Sequence, residues 1–527
     1  MRLLQALLLL FAVAIANPAN AQASKGKARE LTIGLSATVT SMDPHYHNLT
    51  PNNSLLRHVF DTLVRQDSNQ TLIPGLARRW QALDDKTWEF TLRDGVRWHD
   101  GSPFTADDVV FTLKRAADVP NSPASFTAFV RQITAVEVKN VHTLRIKTAV
   151  PVPLLPNDMS SVMIVSRKHG ERATTDDYNS GKAAIGTGPY KFVEYTPNQR
   201  VVLGANFGYW AGEEPWEKVT FKMLTNPASR VAALLSGDVD MIEGVPTADI
   251  TDLRRNNKVR LANRVSNRVI YLHLDSGRKE KSPFTFDKQG APLVKNPLAD
   301  SRVRQAISKA IDRNAIVSKI MEGNALAAGQ LLADGFFGVS KNLKAEKPDP
   351  EGARRLLAQA GYPDGFALTL HSPNNRYIND ANVAQAVAQM LTRVGIQTKV
   401  EAMPSSVFFT RASKLEFSLI LAGWGAESGE TSSPLKALLA TYDKDKGMGS
   451  ANRGRYSNPA LDKTLEQALS TIDDIKRAAL LAQATELGIR DAGIVPLHYE
   501  ISTWAMKAGL RFVPRADQYT FAMDLRS

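Results

Sequence analysis

The stretch Leu76–Arg115 reads LARRWQALDDKTWEFTLRDGVRWHDGSPFTADDVVFTLKR and holds strong local signals for a strand and a helix. Large apolar residues alternate with polar ones over Thr87–Arg93, which predicts a half-buried β-strand that ends at an Asp-Gly turn. Thr105 precedes Asp108 by three positions, the spacing of a helix capping box, and an apolar helical pattern follows. A strand, a turn and a capped helix are therefore expected in close succession.

Both signals recur outside this stretch. Alternation in Ala135–Lys139 and in Thr143–Thr148 predicts a hairpin with its bend at Asn140. After Ser301, apolar residues at helical spacing predict a helix that continues to Gly323. Mixed strand and helix signals without a visible repeat indicate an α/β protein.

The amino terminus has the pattern of a secretory signal. Arg2 is followed by an apolar run over Leu3–Ala16 and then by small residues of the Ala-x-Ala type. This pattern predicts a cleaved signal peptide over 1–23, with Ala21 and Ala23 as alternative cleavage positions. No later segment approaches the roughly 18 apolar residues that a membrane-spanning helix needs. We therefore expect export to the periplasm.

Composition narrows the possible classes of protein. The 527-residue chain is long enough for two or three domains, and its lack of cysteine excludes disulfides and cysteine nucleophiles. The net charge of +12 raises the question of a nucleic-acid partner. The basic residues, however, occur as scattered pairs without interleaved aromatic residues, so we expect no nucleic-acid binding.

Six segments of the chain carry a resemblance to one family. Besides Leu76–Arg115 they read SMDPHYHNLTPNNSLLRHVFDTLV, IGTGPYKFVEY, ASRVAALLSGDVDMIEGVP, DSRVRQAISKAIDRNAIV and GWGAESGE. In this order they resemble the peptide-type solute-binding proteins of ABC importers, a family with dipeptide-, oligopeptide- and nickel-binding members. The resemblance covers nearly the whole mature chain.

The resemblance implies an α/β fold, a two-lobed clamp of the periplasmic-binding-protein type with an additional small domain. Domain I is expected over 24–64, 185–274 and 493–527, the small domain II over 65–184, and domain III over 275–492. The chain is expected to cross between the lobes near Leu272–Ser276 and near Pro496–Tyr499, where extended segments absorb a hinge motion.

The segment Gly423–Glu430 is the main candidate for ligand contact. Where Glu427 stands, peptide-binding relatives usually have an aspartate that binds the peptide α-ammonium group, and a carboxylate in a closed cleft suits that purpose. Trp424 is expected as an apolar wall, or alternatively as core packing. The set of candidates also includes Gly425, Ala426 and Glu430. Both glutamates could instead be solvated loop acids.

Further candidates lie on two other loops. Arg376, next to Asn375 on a turn-rich loop, could pair with a ligand carboxylate or form a surface salt bridge. Tyr46 and His47 lie in a segment that lines the cleft in relatives. The nine histidines include no His-x-x-x-His pair, so no metal site and no cofactor are expected.

These features predict a monomeric periplasmic binding component that captures a peptide or peptide-like solute and delivers it to inner-membrane ABC permease subunits. A non-peptide solute such as an opine, a sugar or chelated nickel is the alternative for the same clamp. Motifs of nucleotide hydrolases, zinc proteases and esterases are missing, so no enzyme is expected. Ser433 and Lys436 match the Ser-x-x-Lys spacing of serine acyl-enzymes, which leaves that function as the least favoured alternative.

Overall fold

A computed structural model describes residues 29–527. The predicted signal peptide lies outside the described residues. Among the helices of residues 29–527, none combines the length and apolar character that crossing a membrane requires.

Strands and helices alternate along the described chain. The strands are β1 (Glu30–Leu35), β2 (Val64–Gln66), β3 (Leu72–Pro74), β4 (Ala77–Asp84), β5 (Thr87–Leu92), β6 (Ile133–Asn140), β7 (Thr143–Thr148), β8 (Tyr190–Thr196), β9 (Arg200–Ala205), β10 (Lys218–Met223), β11 (Met241–Ile242), β12 (Val259–Leu274), β13 (Thr285–Phe286), β14 (Ala325–Ala327), β15 (Phe366–Pro373), β16 (Ile396–Met403), β17 (Leu419–Gly425), β18 (Ile494–Lys507), β19 (Arg511–Phe512) and β20 (Leu525–Arg526). The α-helices are α1 (Thr50–Leu56), α2 (Ala106–Ala117), α3 (Thr127–Val130), α4 (Leu155–Ser161), α5 (Arg167–Gly170), α6 (Thr175–Asn179), α7 (Pro227–Ser236), α8 (Thr247–Arg255), α9 (Ser301–Ala310), α10 (Arg313–Ala315), α11 (Pro350–Gln359), α12 (Asp380–Arg393), α13 (Ser405–Ser413), α14 (Ser432–Pro434), α15 (Pro459–Ser470) and α16 (Asp474–Arg490).

One twelve-stranded sheet extends through both lobes. Its order is β13-β15-β17-β12-β18-β11-β1-β10-β9-β8, with β14 beside β18 and β16 beside β15. The long antiparallel strands β12 and β18 occupy its middle. We call the side with β1 and β8–β11 lobe I and the side with β13 and β15–β17 lobe III. Each lobe contains parallel pairs, β1 with β10 and β15 with β16, as expected for an α/β protein.

A separate four-stranded antiparallel sheet, β4-β5-β7-β6, forms the centre of the small domain, which we call domain II. Strand β5 (Thr87–Leu92) confirms the strand predicted over Thr87–Arg93, and β6 with β7 confirms the predicted hairpin. The capping box of Thr105 and Asp108 at the start of α2 is also present. The α/β clamp with an additional small domain is therefore confirmed. The bounds of the three domains stay predictions.

The predicted helix over Ser301–Gly323 is wrong in part. Helix α9 ends at Ala310, and Ile311 is extended with φ −92° and ψ 119°. The Asp312 carboxylate then caps α10 by accepting a hydrogen bond from the backbone N–H of Ala315 at 2.9 Å. Aspartate competes with the helix interior for backbone donors, so one apolar pattern covers two helical segments.

The crossing between the lobes lies beside a register shift in the central strand pair. The pairing of β12 with β18 shifts between Val265 and Val269, and pairing of β12 with β17 starts at Arg268. The predicted crossing near Leu272–Ser276 lies farther along, where Leu272 already pairs with Leu421 of lobe III. The apolar run in β12 continues past the crossing because the strand is buried in lobe III.

Candidate functional site

A cleft of about 510 Å³ lies between the lobes. Lobe I contributes loop residues around Thr50 and Glu243, whereas lobe III contributes the loop around Arg376 and Asn379. Strands β12 and β18 close its inner end with Arg268 and Glu500. This volume lies within the roughly 300 to 1,000 Å³ that is typical of ligand pockets.

An ion pair lies where the two central strands meet the cleft. Arg268 Nε is 3.4 Å from Glu500 Oε2, and Arg268 Nη2 donates to Gln518 Oε1 at 3.0 Å. The other Glu500 oxygen accepts from the backbone N–H of Ile378 at 3.1 Å. Burial raises the pKa of Glu500, and the neighbouring Arg268 and Arg376 charges oppose that rise. Glu500 thus connects the central strands to the loop that carries Arg376.

Arg376 faces the cleft with an uncompensated charge. Its guanidinium lies 5.5 Å from the ring centre of Tyr377 and forms no hydrogen bond or ion pair within residues 29–527. Burial lowers the pKa of the Arg376 guanidinium, as does the nearby charge of Arg268, whereas Glu500 and Asp380 raise it. A solute carboxylate would supply the missing partner.

Glu427 also lacks an ion-pair partner among the described residues, but it lies outside the cleft lining, on the loop whose Gly425 lies against Arg268. It follows β17, and its carboxylate forms no hydrogen bond or ion pair with the part of the chain that the structure describes. The residue is exposed overall, and neighbouring groups desolvate its carboxylate in part. This desolvation raises the pKa of Glu427, while the charges of Arg268 and Arg57 lower it. An ammonium group would favour the ionised carboxylate.

The three residues before Glu427 have mainly structural contacts. Trp424 is half-buried, packs beside the core of lobe III, and donates from Nε1 to Ser433 Oγ at 3.1 Å. At Gly425, a Cβ would come within 3.1 Å of Arg268 Nη2, so this glycine lets the guanidinium lie against the strand. The Ala426 carbonyl accepts from Asn267 Nδ2 at 3.0 Å.

Glu430 lies away from the cleft. It is 4% exposed, and its oxygens are 2.8 and 2.7 Å from Arg477 Nη1. Ser432 Oγ donates to the same carboxylate at 2.9 Å. These bonds use Glu430 to join the Glu427 loop to α16.

The remaining three candidates, like those of the Gly423–Glu430 segment, lie outside the lining of this cleft. Asn375 Oδ1 accepts from the backbone N–H of Ser405 at 2.9 Å, where α13 begins. The Tyr46 carbonyl accepts from Ser122 Oγ at 2.6 Å, and His47 Nδ1 is 2.9 Å from Thr40 Oγ1. These contacts connect each loop to its own surroundings, and the ligand roles of the three residues stay predictions.

Three residues of the cleft were not among the candidates predicted from the sequence: Arg268, Glu500 and Gln518. Glu500 is the one carboxylate in the otherwise apolar and weakly polar strand β18, and a charge in a buried strand was the available signal. Arg268 had no comparable signal because charged residues occur throughout the first half of β12.

Two chemical alternatives can be compared with the geometry. Within residues 29–527, no group of three His, Asp or Glu side chains is arranged to hold a metal ion. Ser433 Oγ accepts from Trp424, and no hydrogen bond joins it to Lys436 Nζ in the described chain. Burial lowers the pKa of Lys436, and the Arg131 charge lowers it further, whereas Asp158 raises it.

Two lobes on one continuous sheet, with a cleft between them, define the class of bacterial solute-binding proteins. The chain belongs to the bacterial extracellular solute-binding proteins, family 5, whose middle-region model matches residues 71–446. It is a solute-binding component of an ABC importer and works in the periplasm. The resemblance seen in the sequence is confirmed.

Individual relatives agree with this membership over most of the chain. Heme-binding protein A of Haemophilus influenzae is 27% identical over 86% of this chain and 83% of that protein. The periplasmic murein peptide-binding protein MppA of Escherichia coli is 27% identical over 92% of this chain and 90% of that protein. The unliganded open form of an MppA murein tripeptide-binding protein superposes with a TM-score of 0.78 at 25% identity, covering 95% of this chain and 97% of that one.

Proposed function

We propose that the solute is a peptide or a peptide-like zwitterion, which the cleft binds and releases without chemical change. The observation that carries this proposal is the pair of uncompensated charges, the Glu427 carboxylate and the Arg376 guanidinium. A free peptide has an ammonium group and a carboxylate, so one molecule can neutralise both. Leaving either charge unpaired in a closed cleft costs free energy.

Relatives support a peptide without deciding the exact solute. The relatives include a murein peptide-binding protein, an oligopeptide-binding protein and a glutathione-binding protein. Glutathione and murein peptides are both peptide-like molecules with free charged termini. Binding without catalysis is supported by the hydrogen bond that holds Ser433 Oγ on Trp424, away from the cleft lining.

The Glu427→Gln variant tests the proposal directly. It keeps the shape of the side chain and removes its charge, so peptide affinity should fall by roughly 1.5 to 3 kcal/mol, the range for hydrogen bonds to charged groups. Calorimetry with trialanine and N-acetyl-trialanine on wild type and variant gives a double-mutant cycle, in which acetylation of the peptide is the second change. The affinity losses caused by the substitution and by acetylation should not add, because both remove the same contact.

Glu280→Gln is the matched control, because Glu280 is also an exposed glutamate but lies on a different loop, between β12 and β13. It should leave affinity unchanged. Native mass spectrometry of the purified protein should recover an intact solute with a free amine. Recovery of an amine-free solute together with normal affinity in Glu427→Gln would reject the peptide in favour of the non-peptide alternative.

A further inference from the structure

The loop that carries Glu427 is held from outside by side-chain amides. Gln70 Nε2 donates to the carbonyl oxygen of Glu427 at 2.8 Å and to that of Ala426 at 3.3 Å. Gln66 Nε2 donates to the Glu427 carbonyl at 3.3 Å, and Asn157 Nδ2 donates to the Ser428 carbonyl at 2.9 Å. Three consecutive carbonyls thus accept from these amides, which we call the amide clasp (Gln66, Gln70 and Asn157).

The amide clasp belongs to the half of the molecule opposite the loop that it holds. Arg515, in the carboxy-terminal segment beside lobe I, donates from Nη2 to the carbonyls of Gln66 and Asp67 at 3.1 and 2.9 Å. The helix that contains Asn157 belongs to domain II, whose backbone is bonded to lobe I from Ile164 to Asp61 at 2.8 Å. The Glu427 loop continues directly from β17 of lobe III. These amide bonds therefore cross the gap between the two halves.

Backbone geometry at the contact indicates that a close approach is required. Gly429 has φ +71°, and a Cβ built on it would lie 2.9 Å from Gln70 Cβ. Gln70 itself has φ +64° and is 5% exposed. A residue with a long side chain rarely adopts this left-handed conformation, which glycine adopts freely. A glutamine in this left-handed conformation indicates that its side-chain amide is needed there.

We propose that Gln70 is a positioning residue, which orders the Glu427 loop as the cleft closes. Closure of the cleft and completion of the solute site then occur together. The part of this proposal that concerns solute rests on the proposed function, because there Glu427 contacts the solute. The part that concerns closure does not. Opening of the cleft breaks the bonds of the amide clasp, and closing restores them.

The test measures the distance between the halves directly and uses no solute. Because the chain contains no cysteine, Asp85→Cys in domain II and Lys444→Cys in lobe III, both exposed, provide unique positions for spin labels. Gln70→Gly removes the amide at a φ that suits glycine. It should lower the ratio of closed to open molecules about threefold to tenfold, as expected for one lost hydrogen bond. Gln70→Asn tolerates the same φ but is one methylene shorter, so it should shift the distances in the same direction.

Gln330→Ala is the matched control. Gln330 is also buried and donates from Nε2 to a carbonyl, that of Ser340 at 2.9 Å, but both residues belong to the same half. It should lower the melting temperature and leave the distance distribution unchanged. Identical spin-label distance distributions in wild type, Gln70→Gly and Gln70→Asn would overturn the proposal. This holds also if all three proteins are fully open. Since no solute is needed, this result is independent of the calorimetry on Glu427→Gln.

Discussion

At the scale of single residues, His58 shows how burial fixes a protonation state. It is fully buried in lobe I, with the rings of Phe221 and Phe521 around it. Nδ1 donates to the Leu55 carbonyl at 2.8 Å, and Nε2 accepts from the backbone N–H of Ala522 at 2.9 Å. The acceptor role at Nε2 requires the neutral ring. Burial lowers the pKa of His58 from 6.5 to about 4.

This shift predicts acid destabilisation with a definite sign. Below pH 6.5 the unfolded chain takes up a proton at this position while the folded chain does not, so stability is lost as pH falls from 6.5 to about 4. His58 alone contributes up to about 1.4 kcal/mol per pH unit in that window. His58→Asn should therefore reduce the slope of unfolding free energy against pH, measured by urea denaturation.

The control for this measurement is Leu203→Ala, because Leu203 is buried in the core of lobe I and has no titratable group. It should lower the free energy of unfolding and leave its slope against pH unchanged. An equal slope in wild type and His58→Asn would show that the ring is already charged in the folded protein, in conflict with the contact to Ala522.

At the scale of elements, the break between α9 and α10 depends on one cap. Asp312→Ala removes the acceptor for the Ala315 N–H and should lower the free energy of unfolding by about 1 kcal/mol, the usual value of an N-cap. Asp312→Asn retains a capping oxygen and should stay close to wild type in the same denaturation experiment. Equal losses in both variants would mean that the negative charge, and not the cap, stabilises this segment.

Elements were predictable where neighbouring residues determine them. The strand over Thr87–Leu92 depends on alternation within six residues, and the α2 cap depends on two residues three positions apart. The break at Ile311 was missed because its cause is a side chain inside an unbroken apolar pattern. A local pattern is therefore enough to predict an element, but it is not enough to predict where that element is interrupted.

At the scale of the whole molecule, the site depends on contacts between distant segments. Arg268 meets Glu500 because β12 and β18 pair across more than 200 positions of sequence, and no local pattern carries that information. Glu430 was a candidate because it is close to Glu427 in sequence. Its carboxylate is paired with Arg477, on a helix 47 positions away. The family resemblance indicated this loop, and the ligand roles of its residues stay predictions.

The close contact between Gln70 and Gly429 also allows closure to be made permanent. In the double variant Gln70→Cys and Gly429→Cys, the two Cβ atoms start 2.9 Å apart, and a disulfide needs roughly 0.6 Å more, a shift that a loop can supply. The oxidised variant should keep its copurified solute through dialysis, and reduction should release it, as followed by native mass spectrometry. Each single-cysteine variant should lose solute at a rate that reductant does not change, and Gln70→Cys should lose it faster than wild type because it lacks the amide. Equal loss from the oxidised and reduced double variant would mean that solute leaves by a route that does not require the two halves to separate at this contact.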